Sequence, residues 1–259
     1  MLASLAIHQE TAMISLANPQ GEPPTLMSVQ VGRVAPLGAK GIPSGFVKRP
    51  VTGPVHVGKL NLDGDAQADL TVHGGPEKAV YAYAASRYPE WSADFPEHAA
   101  DFTPGAFGEN LTMAGMSEND ICVGDIHAIG STRLQVCQPR QPCYKFALRF
   151  DDNRLPRAMV RTGRAGWYYR VLSEGVLQAG DAVSLVERPN PDLPFNRLIA
   201  IVNRSQATDE ELHKLADADG LASWLQIEAR RAVGSRRETR GPNLGDVRGR
   251  GRSRFPTGE

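Results

Sequence analysis

The sequence predicts a mainly β fold with α-helices, in which a β-barrel-like domain is followed by a small three-helix module. Short β-branched and aliphatic stretches alternate with turn residues, as at 29–31, 55–57 and 70–72. After the proline-rich segment PNPDLP the apolar residues recur at helical spacing instead. We therefore assign residues 28–188 to the β-rich domain and residues 193–233 to the helical module.

One helix is expected to interrupt the β-rich domain and to cover the barrel. Tyr88, Trp91 and Phe95 recur at helical spacing, and Pro89 stands where a first helical turn tolerates proline. A hairpin is predicted around Gly130. The strands of this hairpin and the two that close the sheet are predicted at 126–129, 133–136, 167–172 and 182–186.

Three helices are predicted after the proline-rich linker. A capping box formed by Thr208 and Glu211 marks the start of the second helix, and Gly220 ends it. The apolar faces of the three helices are formed by Phe195, Leu198, Ile199 and Val202, by Leu212 and Leu215, and by Leu221, Trp224 and Leu225. Residues 1–27 and the arginine- and glycine-rich residues 234–259 lack such a pattern, so both are predicted to be disordered extensions.

The composition indicates a packed protein of a reducing compartment. Hydrophobic residues make up 41% and charged residues 22% of the chain, and the formal net charge is zero, so nothing favours a polyanion as the main partner. Three cysteines are too few for a disulfide framework in 259 residues. No signal-peptide core forms, and no apolar run approaches the roughly 20 residues that cross a bilayer. We expect a cytoplasmic protein that does not bind membranes.

The segment QPRQPCYK carries the strongest chemical signal. Pro139 and Pro142 fix the backbone just before Cys143 and so present its thiol in one orientation. Arg140 and Lys145 lie close in sequence, and cationic neighbours favour the thiolate, which is the form that binds soft metals. The sequence therefore indicates Cys143 as a metal ligand.

The alternative for any cysteine is a small buried apolar side chain. Cys122 and Cys137 each lie within a strand-like pattern and lack the loop context of Cys143. We therefore expect both to be core thiols, and only Cys143 to be reactive.

Two further motifs offer ligand contacts. In HGGPEK, the paired glycines Gly74 and Gly75 allow a ligand to approach the backbone closely beside the imidazole of His73. In FGENL, Glu109 and Asn110 place hydrogen-bond acceptors and donors side by side. Each motif is also compatible with an ordinary turn, loop or cap.

Four motifs resemble those of the YiiM-like MOSC proteins and occur in that family's order. They are LDGDAQADLTVHGGPEKAVYAY, FGENLT, ICVGDIHAIGSTRLQVCQPRQPCYK and TGRAGWYYRVL. The resemblance runs from Val29 to Val233 and includes the helical segment. It implies a MOSC β-barrel-like domain with a C-terminal three-helix domain.

The resemblance also implies a cofactor and a set of contacts. Cys143 would ligate molybdenum that is held by the pterin of the molybdenum cofactor, molybdopterin. The residues implied near the cofactor or substrate are His73, Gly74, Gly75, Glu109 and Asn110, and those implied at the pterin phosphate are Lys48, Arg140 and Lys145.

The activity implied by the resemblance is reduction of small N-hydroxylated compounds such as 6-hydroxylaminopurine, a detoxification reaction. The cofactor would perform the redox step while the protein orients it. No flavin, haem or iron–sulfur signature occurs in the sequence, and three scattered cysteines cannot hold an iron–sulfur cluster. A separate electron-donating reductase is therefore expected.

Other functions stay open. MOSC domains also terminate cofactor sulfurases, so the chain could carry sulfur, or could carry the cofactor without catalysis. Pyridoxal phosphate is not expected, because the chain has no room for the aminotransferase-like domain that uses it. Nucleic-acid binding by the arginine-rich tail is not expected either, since aromatic residues for base stacking are nearly absent there. An exposed face of the helical module could dock the reductase or form a homodimer.

Overall fold

The computed structural model describes residues 23–71, 73–204 and 207–240. The strands are β1 (Thr25–Val31), β2 (Ala35–Leu37), β3 (Ile42–Ser44), β4 (Arg49–Val51), β5 (Val55–Val57), β6 (Val80–Ala84), β7 (Leu111–Ala114), β8 (Ile126–Ile129), β9 (Thr132–Pro139), β10 (Trp167–Ser173), β11 (Gly175–Leu177) and β12 (Val183–Glu187). The α-helices are α1 (Arg87–Asp94), α2 (Tyr144–Phe150), α3 (Arg154–Thr162), α4 (Phe195–Arg204), α5 (Asp209–Asp217) and α6 (Ser223–Arg240).

The main sheet has eight strands in the order β12-β8-β9-β10-β6-β7-β1-β4. The end strand β12 is joined to β1, the seventh strand of this order, because Thr25 of β1 forms a bridge with Ala182 just before β12, while β4 pairs with the other end of β1. Leu26 N donates to Asp181 O at 2.8 Å and Gly180 N donates to Leu26 O at 2.8 Å. The sheet therefore closes on itself, which removes most of its free edge and confirms the predicted barrel-like architecture.

An aromatic cluster packs between α1 and the barrel. Trp91 of this helix is fully buried and lies within 6.3 Å, centroid to centroid, of the rings of Phe95, Phe102, Phe107 and Phe146. Its indole Nε1 donates to the Tyr83 hydroxyl of β6 at 2.6 Å. The helix predicted from the spacing of its aromatic residues is confirmed, and it covers the barrel as expected.

Two further helices interrupt the β-rich domain, so the prediction of a single helix there is wrong. Helix α2 starts directly after Cys143 and buries Phe146, Ala147 and Phe150. Helix α3 follows after a left-handed residue, Asp151, at φ 52°. Each helix has fewer than ten residues, too few for a period to stand out against the surrounding loops.

The prediction of a strand at 70–72 is also wrong for residues 70 and 71. Leu70 and Thr71 lie in a turn, whereas residue 72 is outside the described residues. The Asp69 carboxylate accepts hydrogen bonds from Thr71 N at 3.0 Å and Thr71 Oγ1 at 2.6 Å. An aspartate that bonds the backbone two residues onward stabilises a turn in place of a strand.

The three-helix module forms as predicted, with different limits. The capping box of α5 is confirmed, since Thr208 and Glu211 exchange side-chain and backbone hydrogen bonds. Helix α6 continues to Arg240, so residues 234–240 belong to the helix and not to a disordered tail. At the other end, residues 25–27 belong to β1. The remaining parts of both predicted extensions lie outside the described residues.

The helical module is tied to the barrel at the start of α6. Ala222 N donates to Cys137 O of β9 at 2.9 Å, and Ser223 N and Oγ donate to the Glu77 carboxylate at 2.9 and 2.7 Å. Glu77 lies in the same HGGPEK loop as His73. No helix in the described part of the chain is long and apolar enough to span a membrane.

Candidate functional site

Cys143 stands at the junction of a strand, a rigid loop and a helix. Strand β9 ends at Pro139, and the chain then passes through Pro142 to Cys143, which is the residue preceding helix α2. The Cys143 backbone is extended, with φ −106° and ψ 165°, and its side chain forms no capping bond. The sulfur is therefore held in place by the backbone on both sides and is available to a ligand.

A cavity of about 580 Å³, including the part open to solvent, surrounds this sulfur. Seven of the nine predicted site residues line it, namely Lys48, His73, Gly74, Asn110, Arg140, Cys143 and Lys145. These residues come from segments far apart in the sequence, and the closed barrel brings them together. Gly75 and Glu109 are not part of this wall.

The Cys143 thiol is strongly acidic. Burial alone would raise its pKa, but a hydrogen bond with the His73 side chain, the positive charge of Arg140 and the backbone N–H of Lys145 outweigh burial and lower the pKa to about 6. The other two cysteines behave in the opposite way. Burial raises the pKa of Cys137 to about 12 and also raises that of Cys122. At neutral pH only Cys143 is mainly thiolate, the form that attacks electrophiles and binds metals.

Alkylation of the metal-free protein tests this difference. We expect the rate of iodoacetamide modification at Cys143 to reach half its maximum near pH 6, because that is where half of the thiol is ionised. Mass spectrometry of peptides after quenching at each pH would follow all three cysteines at once. In a His73→Ala variant the midpoint should move upward. A midpoint of about 8.5, the value of an unperturbed cysteine, would contradict the proposed electrostatics.

Four cationic side chains and no carboxylate line the cavity described above: Lys48, Lys78, Arg140 and Lys145. Arg140 is 7% exposed and Lys145 is 9% exposed, yet in the described residues neither forms an ion pair with a carboxylate. Buried charges are normally paired, because an unpaired one costs several kcal/mol of desolvation. The cavity therefore suits an anionic group such as a phosphate.

Arg140 is positioned by one hydrogen bond and by two aromatic rings. Its Nη1 donates to Phe107 O at 2.7 Å, and its guanidinium carbon lies 5.2 Å from the ring centre of Phe46 and 5.0 Å from that of Tyr81. Its Nε is buried and has no hydrogen-bond partner among the described residues. The guanidinium is held between two rings and still has an N–H group that can donate a hydrogen bond. It is therefore suited to bind an anion.

Lys48 is held differently, by a buried aspartate that stands behind the cavity wall. Asp65 pairs with Lys48 and also accepts hydrogen bonds from Gly32 N at 2.8 Å and Asn110 Nδ2 at 3.0 Å. Burial lowers the pKa of Lys48, and Asp65 offsets part of that effect. The charge of Lys48 is thus largely compensated within the protein, so Arg140 and Lys145 contribute more of the positive potential.

Glu109 has a role in the fold and does not reach the cavity. Its carboxylate accepts hydrogen bonds from Gly105 N at 2.6 Å, Phe107 N at 2.9 Å and the Tyr88 hydroxyl. Asn110 also serves the backbone, since its Oδ1 accepts from Tyr81 N at 3.1 Å. The sequence predicts Glu109 and Asn110 as ligand contacts, whereas the structure shows that the Glu109 carboxylate closes the turn that precedes it.

Two loops form the rim of the cavity, and Gly45 lets them meet. A Cβ atom added at Gly45 would lie 1.9 Å from Ala66 O, far inside van der Waals contact. The backbone of residues 44–46 therefore packs directly against that of residues 66–68, and both segments line the cavity. Gly74 lies beside the second segment, since a Cβ atom added there would be 3.7 Å from Gln67 Oε1, and its φ of 119° favours glycine.

Several residues of the cavity wall are not identified by the sequence motifs. Lys78, Tyr81, Tyr168 and Gln67 line the cavity, and Asp65 orients Lys48 from behind. Lys78 belongs to the HGGPEK motif, in which the sequence already indicates a ligand contact. The tyrosines lie in strands β6 and β10, where they are hard to distinguish from core aromatics, because their position depends on long-range strand pairing.

Comparisons with known proteins agree with this architecture. A model of the MOSC domain matches residues 69–184. Protein YiiM of Escherichia coli K12 is 37% identical over 200 residues, which cover 77% of this chain and 89% of that protein. A protein of Gibberella moniliformis named Reductase is 41% identical over 176 residues, which cover 67% of this chain and 31% of that longer protein. The crystal structure of YiiM from Geobacillus stearothermophilus matches with a TM-score of 0.69 at 32% identity, covering 82% of this chain and 100% of that one.

The closed barrel and these matches define a MOSC-domain protein, a class associated with molybdenum cofactor binding. The chain belongs to the MOSC family as a YiiM-like protein. Together with the similarity to a reductase, this membership supports a function related to the molybdenum cofactor.

Proposed function

We propose that the protein is a molybdenum-cofactor-dependent reductase of small N-hydroxylated compounds such as 6-hydroxylaminopurine. The observation that carries the proposal is an acidic thiol, Cys143, facing a cavity lined by four cations and no carboxylate. Such a donor set suits a soft metal and an anionic organic group together. When bound, the molybdenum cofactor would supply the electron transfer to the N–O bond.

The residues of the chain would bind and orient that cofactor. Cys143 would hold the metal, with His73 fixing its sulfur through their hydrogen bond. Arg140 and Lys145, the two buried cations without a carboxylate partner in the described chain, would meet the phosphate. Asn110 and Gly74 would contact the cofactor as parts of the cavity wall, without contributing charge.

The reaction balances with two electrons and two protons, which convert an N–OH group to N–H and water. Burial raises the pKa of Tyr168, so this residue stays protonated at neutral pH and can donate a hydrogen bond to oxygen in the cavity that it lines. The electrons would come from a separate reductase. In support, the matched region makes up only 31% of the Gibberella protein named Reductase, whose remaining chain is long enough for other domains.

The proposal is tested without knowing the physiological electron donor. The protein would be expressed in a host that makes the cofactor, and 6-hydroxylaminopurine would be offered with reduced methyl viologen as an artificial donor. We expect adenine to form in proportion to the molybdenum content. Protein from a host that lacks cofactor synthesis is the matched control. Full molybdenum loading with no reduction of any N-hydroxylated compound would contradict catalysis and favour a non-catalytic carrier of the cofactor.

A further inference from the structure

Trp224 differs from the other two tryptophans of the chain in its exposure to solvent. Trp91 and Trp167 are fully buried, whereas Trp224, in the first turn of α6, is 39% exposed. Single exposed apolar side chains are common and need no function. Trp224, however, is fixed, because its Nε1 donates to Gln138 Oε1 of β9 at 2.8 Å. The indole therefore presents a rigid aromatic surface.

The surface of Trp224 forms one wall of a cleft of about 700 Å³, including the part open to solvent. The other lining residues are Gly74, Gly75, Pro76, Glu77, Lys78, Gln138 and Arg170. Gly74 and Lys78 also line the cavity around Cys143. The two spaces are therefore neighbours that share part of one wall.

The wall on the HGGPEK side leaves the cleft open. A Cβ atom added at Gly75 would have no neighbour within 4 Å, so a side chain there would project into open space. Gly75 has φ 83°, which itself favours glycine. The result is an open slot lined by bare glycine backbone and by an aromatic ring.

Hydrogen bonds link the HGGPEK loop with β9, β10 and α6 around the cleft. The Glu77 carboxylate accepts from Ser223 Oγ at 2.7 Å and from Arg170 Nη2 at 2.9 Å, and Gln138 Nε2 donates to Glu77 O at 2.8 Å. The same Gln138 side chain anchors Trp224. The slot is thus organised before any ligand arrives, which reduces the entropy lost on binding.

We propose that this cleft binds a planar heteroaromatic ring, which stacks on Trp224 while its reactive substituent passes Gly74 and Lys78 toward Cys143. One aromatic face within an otherwise polar and charged slot suits a flat polar heterocycle better than an aliphatic chain. The nature of the reacting substituent rests on the proposed function, whereas binding of the ring does not. Trp224 is then a residue that determines specificity.

Binding of adenine, a flat heterocycle without an N–OH group, tests the stacking surface directly. Equilibrium dialysis would compare the full-length wild type with Trp224→Phe and Trp224→Leu. We expect phenylalanine to preserve most of the affinity and leucine to weaken it roughly tenfold, within the range for loss of one aromatic stacking contact. The matched control is Ile227→Ala, since Ile227 is 46% exposed on the same helix but does not line the cleft. Affinity for adenine that is equal in the wild type and Trp224→Leu, or absent from the wild type, would overturn the proposal.

Kinetics of the molybdenum-loaded protein provide a second, independent measurement. Trp224→Leu is expected to raise KM for 6-hydroxylaminopurine roughly tenfold and to leave KM for N-hydroxyurea, which has no aromatic ring, unchanged. An equal rise for both compounds would contradict stacking and indicate general damage to the site. If the wild type reduces neither compound, the proposed reductase function fails, and the adenine measurement still decides whether the stacking site exists.

Discussion

A Cys143→Ala protein is expected to fold normally and to contain almost no molybdenum after expression in a host that makes the cofactor. The loss should exceed the roughly 10- to 100-fold effect of changing residues that only support a metal ligand. Cys143 makes no capping bond to α2 and is not part of the hydrophobic core, so the fold does not depend on its sulfur. Elemental analysis of purified protein would give the molybdenum-to-protein ratio.

Two other cysteine variants make this result specific. Cys122→Ala removes a buried thiol whose sulfur faces Pro191 O at 3.8 Å, outside the cavity, and it should retain the wild-type molybdenum ratio. Cys143→Ser keeps a small polar group of similar size but lacks the acidic thiol, and it should be as empty as the alanine variant. If Cys143→Ala carried a wild-type amount of molybdenum, the proposed ligand would be wrong.

The Cys143 thiol was predictable from sequence because some of its determinants are local. Pro139 and Pro142 restrict the backbone before it, the charge of Arg140 lowers its pKa, and Lys145 lowers that pKa through its backbone N–H and not through its charge. The structure adds His73, whose hydrogen bond depends on a loop about 70 residues away in sequence being folded against the barrel. The sequence alone indicated that loop only as a possible ligand contact.

The features that the sequence did not predict depend on how the backbone folds around each residue. Glu109 looks like a ligand in the sequence, but its carboxylate turns back to the N–H groups of Gly105 and Phe107. Tyr168 reaches the cavity only because β10 pairs with β6 and β9 in a particular register. Strand order and register are set by the assembled core and not by neighbouring residues, so a pattern of residue types does not reveal them.

The largest loss of stability is expected from Asp65→Ala. Breaking a buried ion pair by removing one partner costs about 3–5 kcal/mol, because the remaining charge stays buried without compensation. The Asp65 side chain is fully buried, and that of Lys48 is 6% exposed. Alanine would also leave Gly32 N and Asn110 Nδ2 without this acceptor. Urea unfolding of wild type and variant would measure the difference in free energy.

The deficit of Asp65→Ala should shrink as the pH rises. Burial already lowers the pKa of Lys48 in the folded protein, and Asp65 offsets part of that effect. Without Asp65 the folded pKa falls further below the unfolded value of about 10.4. Between these two values the unfolded chain binds more protons, so stability increases with pH. Unfolding at pH 9 should therefore show a smaller deficit than unfolding at pH 7.

Two companion variants separate the stability of the pair from its function. Asp63→Ala removes a side chain that is 76% exposed and should change the unfolding free energy by less than about 0.5 kcal/mol. Adding Lys48→Met to Asp65→Ala removes the stranded charge and should restore much of the lost stability, since apolar replacements of buried ion pairs are often neutral. We expect the double variant to bind less molybdenum than the wild type even when it is equally stable, because it lacks one cation of the cavity wall. Wild-type loading of the double variant would mean that Lys48 serves the fold alone and that Arg140 and Lys145 suffice for the cofactor.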